Sequence, residues 1–216
     1  MKTAITLRGA NLGIKWIFFD LGSTLIDETK AHNHRIKDMI EGTDISFDAY
    51  ENKRIEYAKL GLEWDQETIK YYDLKKTPWH SEDEFPYIDS FRTLEYLKNQ
   101  GYLLGVIANQ VIGTSQRLAA WGLLDFFKVI VVSSEVGVSK PNKLIFEKAY
   151  ELARCFPSES VMVGDRLDND IKPAKSLGMR TVWIRQGLSK HQNEKLGNDT
   201  ADWTIESIED LKQIFK

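Results

Sequence analysis

A parallel α/β sheet with helices on both faces, interrupted by a helical insertion, is the fold class that three observations predict. Five short apolar runs stand along the chain: "WIFF" at 16–19, "LLGVIA" at 103–108, "VIVVS" at 129–133, "SVMVG" at 160–164 and "RTVWI" at 180–184. Runs this short, β-branched and unbroken by polar alternation, read as strands buried on both faces. Helical patterns separate the later runs, and strand–helix alternation argues for a parallel sheet. Residues 27 to about 90 break the rhythm, being polar, aromatic and charged with no strand run.

"WIFF" ends in a carboxylate, Asp20, followed by a tight polar turn and Thr24. The insertion shows helical spacing at Ile36, Met39 and Ile40, and again at Tyr50, Ile55 and Ala58. Its simplest place is between the first strand and a return helix, "SFRTLEYLKNQG", over the C-terminal sheet edge where open α/β folds bind ligands. "GTSQRLAAWGLL" puts Leu118, Ala119 and Leu123 at helical spacing. "KPNKLIFEKAYELA" puts Leu144, Ile145, Ala149 and Leu152 on one face, with Pro141 suited to a first turn. "DNDIKPAKSLGM" ends at Gly178, a C-terminal cap, and "ESIEDLKQIF" closes the chain as a helix. The first 14 residues read as a disordered lead or an added edge element.

The 216 residues suffice for one large domain, or a domain carrying an insertion. A formal net charge of -3 supplies no basic field for nucleic acid or anionic membrane. "MKTAITLRGANLG" lacks a signal-peptide core, and no apolar run approaches the ~20 residues of a membrane span. The single cysteine, Cys155, excludes an internal disulfide and fits a cytoplasmic protein.

Two further stretches carry chemistry. In "VMVGDRLDNDIKPAKSLGM" a strand ends at Gly164-Asp165, with Asp168 and Asp170 close behind. Such carboxylates can converge on one hard cation, although Asp168 or Asp170 would equally suit a helix N-cap. In "SEVGVSKPNKLIFEKA", Lys140 precedes a Pro-led helix, and both the ammonium and the helix start favour an anion. A lone lysine is more often a solvated surface group; the case for Lys140 is its place beside two acidic strand ends.

Together these stretches resemble the haloacid dehalogenase superfamily of phosphohydrolases, from about residue 16 to 185. "FFDLGST", "GVIANQ", "GVSKPNKLIF" and "VGDRLDND" match its four motifs in order and spacing. The insertion is similar to the helical cap of the subgroup typified by dehalogenases and phosphoglycolate phosphatases. The resemblance implies a Rossmann-like core at 1–26 and 91–216 with a helical cap at 27–90. It implies Asp20 as nucleophile forming an aspartyl-phosphate, with Mg2+ held by Asp20, the Gly22 carbonyl and Asp165, and Asp170 in the outer shell. Lys140 would neutralise Asp20 and the phosphoryl group, and Asn109 would position phosphate. The implied partner is a small phosphorylated substrate.

Two positions depart from the family pattern. Gly22 stands where the family usually has the Asp that protonates the leaving group and activates water. Ala108 stands where a Ser or Thr usually donates a hydroxyl to phosphate. General acid–base help is worth about 10²–10⁴-fold, so turnover is expected to be slow unless another group replaces the missing acid. The insertion offers His32, His34 and His80, with Glu28 and Glu82. The plainer reading makes the histidines surface groups on a polar helix. Trp64, Tyr71, Tyr72 and Trp79 suit a substrate pocket or, more ordinarily, the insertion's own core. Besides a Mg2+-dependent phosphatase, the sequence admits a binding or regulatory protein on a degenerate enzyme fold. A metal-independent haloacid dehalogenase is disfavoured by the retained metal-site acids.

Overall fold

The computed structural model describes residues 13–193 and 200–216. The expectation for the N-terminal lead falls mostly on residues 1–12, outside the described residues. The chain runs β1 (Trp16–Phe19), β2 (Ile26–Asp27), α1 (Thr29–Ile40), α2 (Phe47–Lys59), α3 (Trp64–Tyr71), β3 (Phe85–Pro86) and α4 (Ser90–Asn99). It continues β4 (Leu103–Ala108), α5 (Thr114–Ala120), β5 (Phe127–Val132), α6 (Ser133–Val136), α7 (Lys143–Ala153) and β6 (Ser160–Gly164). A π-helical turn (Leu167–Ile171) leads into α8 (Lys172–Ser176), followed by β7 (Arg180–Ile184), β8 (Trp203–Ile205) and α9 (Leu211–Ile214).

Six strands form one sheet in the order β5-β4-β1-β6-β7-β8, and every pairing is parallel. The five apolar runs are all strands; the third begins earlier than expected, at Phe127, and its Ser133 opens α6. The sixth strand, β8, escaped notice because three residues with a solvent-facing Thr204 make no apolar run.

Side chains alternate across the pleat, so each strand feeds two cores. Ile17 and Phe19 pack with Leu94 and Leu97 of α4, Leu118 of α5 and Leu211 of α9. Trp16 and Phe18 pack on the other face with Phe146 and Ala149 of α7 and Ala174 of α8.

Three expectations about the helices are corrected. The buried face of α7 is Ile145, Phe146, Ala149 and Tyr150, while Leu144 and Leu152 face solvent. Burying Phe146 and Tyr150 removes more apolar surface than burying the two leucines would. Asn142 caps α7 by accepting the Leu144 N–H at 3.1 Å, so Pro141 lies outside the helix, after a cis peptide bond to Lys140. Leu123 is buried beyond the end of α5, and Ala119 is exposed.

Helices α1, α2 and α3 stand between β2 and β3. These two short strands pair antiparallel, Ile26 with Pro86 and Asp27 with Phe85, so the insertion does hold a strand, one too short to register as a run. The three helices share a small core of Ile36, Met39 and Tyr50, ringed by Ile40, Ile69 and Tyr72.

Candidate active site

Asp20 follows β1 and is fixed there by its own N–H, which donates to the Val163 carbonyl at 2.9 Å. Lys140, from the loop before α7, donates to Asp20 Oδ1 at 2.5 Å and to Asp170 Oδ1 at 2.6 Å. It is 5% exposed and Asp170 1%, so its role as a solvated surface group is excluded. Asn109, at the end of β4, holds that loop: its Nδ2 donates to the Lys140 carbonyl at 2.9 Å and its Oδ1 accepts the Lys140 N–H at 2.7 Å. Both polar ends of Asn109 are thus engaged by the main chain of Lys140. Ala108 is fully buried in the core, and it is Asn109 and Gln110 that reach the cleft.

Asp170 folds back beneath β6. A Cβ at Gly164 would lie 2.4 Å from the Asp170 carboxyl carbon, so glycine is required for this approach. The other Asp170 oxygen accepts the Arg166 N–H at 3.0 Å. Asp165 accepts the Ser189 hydroxyl at 2.7 Å, and its main-chain carbonyl accepts the Trp183 indole N–H at 2.6 Å. One carboxylate oxygen from each of Asp20, Asp165 and Asp170 lies within 4.8 Å of the other two. Hard oxygen donors at this spacing fit a small divalent cation. Asp168 stays apart from them and caps no helix; it pairs with Arg166 and accepts the Gln192 amide at 2.7 Å.

The charges do not balance on their own. Burial, partly offset by Lys140 and reinforced by Asp20, lifts the Asp170 carboxyl to about 6. Burial, then Asp170 and Asp20, lifts Asp165 well above the carboxylate range. Burial pulls the Lys140 ammonium down, but Asp170 and Asp20 outweigh it and hold its pKa above the ordinary lysine value. Three carboxylates around one ammonium carry a surplus of negative charge, which a divalent cation would offset.

Opposite the strand ends, α1 and α3 close a cleft of about 850 Å³. Glu28, just before α1, is largely buried in it. Burial, then the negative charges of Asp20 and Glu84, push its carboxyl up to about 8. Gln110 donates to Glu28 Oε1 at 3.4 Å; its own carbonyl accepts from Arg117 at 2.6 Å, and Arg117 in turn pairs with Glu84. His32 Nδ1 lies 3.1 Å from Arg54 Nη2. A guanidinium only donates, so Nδ1 accepts and the proton sits on Nε2, 4.0 Å from Glu28. Burial, with Arg54 and Arg35, lowers the His32 pKa to about 4.

The expectation of surface histidines is therefore corrected for His32, whose ring is turned into the cleft by the buried Arg54. His34 and His80 stack on each other outside it, ring centroids 3.6 Å apart, held by Asp38, Glu82 and Asp83. Trp64 and Trp79 line the cleft, whereas Tyr72 packs on Tyr50 in the helical core and Tyr71 on Tyr72. Sequence reasoning missed Arg54, Gln110 and Arg166. Arg54 did carry a signal, a charge at helical spacing between the apolar Tyr50 and Ala58. Gln110 and Arg166 had only their adjacency to Asn109 and Asp165.

Residues 17–184 match the haloacid dehalogenase-like hydrolase family, and the chain belongs to it. The glyceraldehyde 3-phosphate phosphatase of Pyrococcus furiosus is 32% identical, over 94% of this chain and 93% of its own. A HAD phosphatase from Thermococcus onnurineus is 27% identical and superposes with a TM-score of 0.63 over 93% of this chain and 97% of that one. A predicted phosphoglycolate phosphatase from Haemophilus somnus, 21% identical, shares the fold with a TM-score of 0.71 over 94% and 99% of the two chains. The expectation of a phosphoric-ester hydrolase is borne out by these phosphatase relatives.

Proposed function

We propose that the chain hydrolyses a small phosphorylated metabolite in the cytoplasm, through an aspartyl-phosphate on Asp20 and with Mg2+ as cofactor. The observation that carries this reading is Lys140, whose buried ammonium bridges Asp20 and Asp170 at the sheet edge with Asp165 alongside. A carboxylate nucleophile repels a phosphate dianion, and Lys140 beside Asp20 screens that repulsion. Asp20, Asp165 and the Gly22 carbonyl would hold Mg2+, with Asp170 orienting the site from the outer shell. When bound, the cation neutralises charge on the phosphoryl oxygens. The residues' work is then positioning: Asn109 fixes the Lys140 loop, and Ser189 fixes Asp165.

Helices α1–α3, within 27–90, act as a cap over a core of 1–26 and 91–216, and so select the substrate. Glyceraldehyde 3-phosphate, for which the Pyrococcus furiosus relative is named, is the first sugar phosphate to test. The direct test is p-nitrophenyl phosphate hydrolysis with and without Mg2+, in wild type and Asp20→Asn. Mg2+-dependent turnover lost in Asp20→Asn is expected. Hydrolysis unchanged by Asp20→Asn overturns the mechanism, and folded wild type with no turnover on any phosphate ester favours a binding role.

A further inference from the structure

The position two residues beyond Asp20 has no side chain, but the space beside it is filled. A Cβ built on Gly22 would lie 2.4 and 2.5 Å from the two carboxyl oxygens of Glu28 and 2.6 Å from its carboxyl carbon. A carboxyl group therefore already occupies the volume that a side chain at position 22 would enter. It arrives from the start of α1 instead of from the turn after β1. Polar groups face it from both sides of the cleft. Gln110, oriented by Arg117, donates to it from the end of β4, and His32, one helical turn on, turns its Nε2–H toward it. Glu28 makes no side-chain capping bond to α1, so helix capping does not explain its burial.

We propose that Glu28 is the catalytic proton carrier of this site, a carboxyl supplied by the insertion in place of one at position 22. The inference rests on the aspartyl-phosphate reading above and deepens it. In the first half-reaction Asp20 forms a bond to phosphorus while the bond from phosphorus to the ester oxygen breaks. The Glu28 proton passes to that oxygen, releasing an alcohol and leaving Glu28 ionised. In the second, water forms a bond to phosphorus and gives one proton to Glu28. The Asp20–phosphorus bond breaks, which frees hydrogen phosphate and restores both carboxyl groups. The sum is one ester plus one water to one alcohol plus one phosphate, with no further reactant.

The placement also bears on Gly22→Asp, the change that would restore the family's usual residue. In the wild-type background the new side chain would meet the Glu28 carboxyl, so no gain is expected. It should succeed only once Glu28 is shortened.

The test uses the full chain with Mg2+ and two probes, p-nitrophenyl phosphate, whose leaving group needs no proton, and glycerol phosphate, whose alkoxide does. Glu28→Gln should keep a first-turnover burst of p-nitrophenol and then stall, with steady turnover of both esters down about 10²–10⁴-fold. Glycerol phosphate should give no burst. Gly22→Asp/Glu28→Ala should turn over at least tenfold faster than Glu28→Ala, while Gly22→Asp alone should not exceed wild type. The proposal is overturned if Glu28→Gln keeps wild-type steady-state rates on both esters while Asp20→Asn abolishes them. It is equally overturned if the folded double variant gains nothing over Glu28→Ala. Activity surviving Asp20→Asn would instead bring down the aspartyl-phosphate reading itself.

Discussion

The Arg166 guanidinium lies over the Trp64 indole, 4.1 Å from the ring centroid. The same guanidinium donates to Glu63 Oε1 at 2.6 Å and Oε2 at 3.3 Å, so it grips the first turn of α3 from the loop that follows β6. Cation–π contact at a partly buried site is worth roughly 1 kcal/mol and the half-exposed ion pair about as much or less. Arg166→Ala should therefore speed amide exchange in α2 and α3 by about tenfold and raise KM more than it lowers kcat. Exchange unchanged in those helices would show that the contact holds nothing.

Lys140, itself buried, bridges the buried Asp170 and the partly exposed Asp20. Lys140→Met should leave both unpaired and cost about 3–5 kcal/mol of stability at neutral pH, read by urea denaturation without divalent cation. A loss under 1 kcal/mol would mean that the carboxylates find other partners.

The acidic centre predicts a ligand effect that needs no turnover. Mg2+ at a hundred times its Kd should add about 2.7 kcal/mol to wild type. For a chain of this size that raises Tm by roughly 5–10 °C. Asp165→Asn keeps the packing but removes one negative oxygen, and should lose most of the rise. An equal rise in the variant would place the cation elsewhere.

His32 accepts from Arg54 through Nδ1, so protonation would set two donors face to face. Its folded pKa of about 4 lies below the ordinary 6.5. Between those values the unfolded chain binds a proton that the folded one refuses, so stability falls as pH falls from 6.5 to 4. Burial is the largest cause, and with Arg54 and Arg35 it outweighs Asp65, which favours protonation. The acid-side loss is on the order of 3 kcal/mol, and His32→Gln should flatten it. NMR titration should show His32 neutral down to about pH 4, while His80, bonded to Asp38 and Glu82, titrates above the ordinary value. A His32 midpoint near 6.5 would contradict the Arg54 geometry.

The sheet and the strand-end residues were legible because each depends on local sequence. A buried strand must be apolar, Asp20 and Asp165 sit directly after strands, and Lys140 and Asp170 lie in the short segments leading into α7 and α8. Glu28 and His32 were legible only as candidates. What selects them over His34, His80 and Glu82 is packing across the cleft by Gln110, Arg117 and Arg54, each far from them in the sequence. The face of α7 was misassigned for a related reason. Leu144 and Leu152 fit the period as well as Phe146 and Tyr150, and only the shape of the facing sheet decides between them.

Arg154 ends α7 in the left-handed conformation, φ 50° and ψ 47°. A side chain there costs about 1–2 kcal/mol, part of which glycine recovers against its greater unfolded-state entropy. Arg154→Gly should add about 0.5–1 kcal/mol with activity unchanged. A lower Tm would show that the arginine side chain contributes more than the backbone strain.

The pairing of Ile26 with Pro86 and Asp27 with Phe85 brings the two ends of the insertion side by side. A segment whose ends already touch is exchangeable. Cut at that ladder, the helices could be replaced by a short hairpin turn or by another protein's helices without disturbing a strand of the main sheet. Asp20 and Lys140 would remain with the sheet, but Glu28 would leave with the graft. On the proposed roles of the helices and of Glu28, exchange of this kind would transfer substrate choice and the proton carrier together, and a donor segment lacking an acid at its start would need an aspartate returned to position 22.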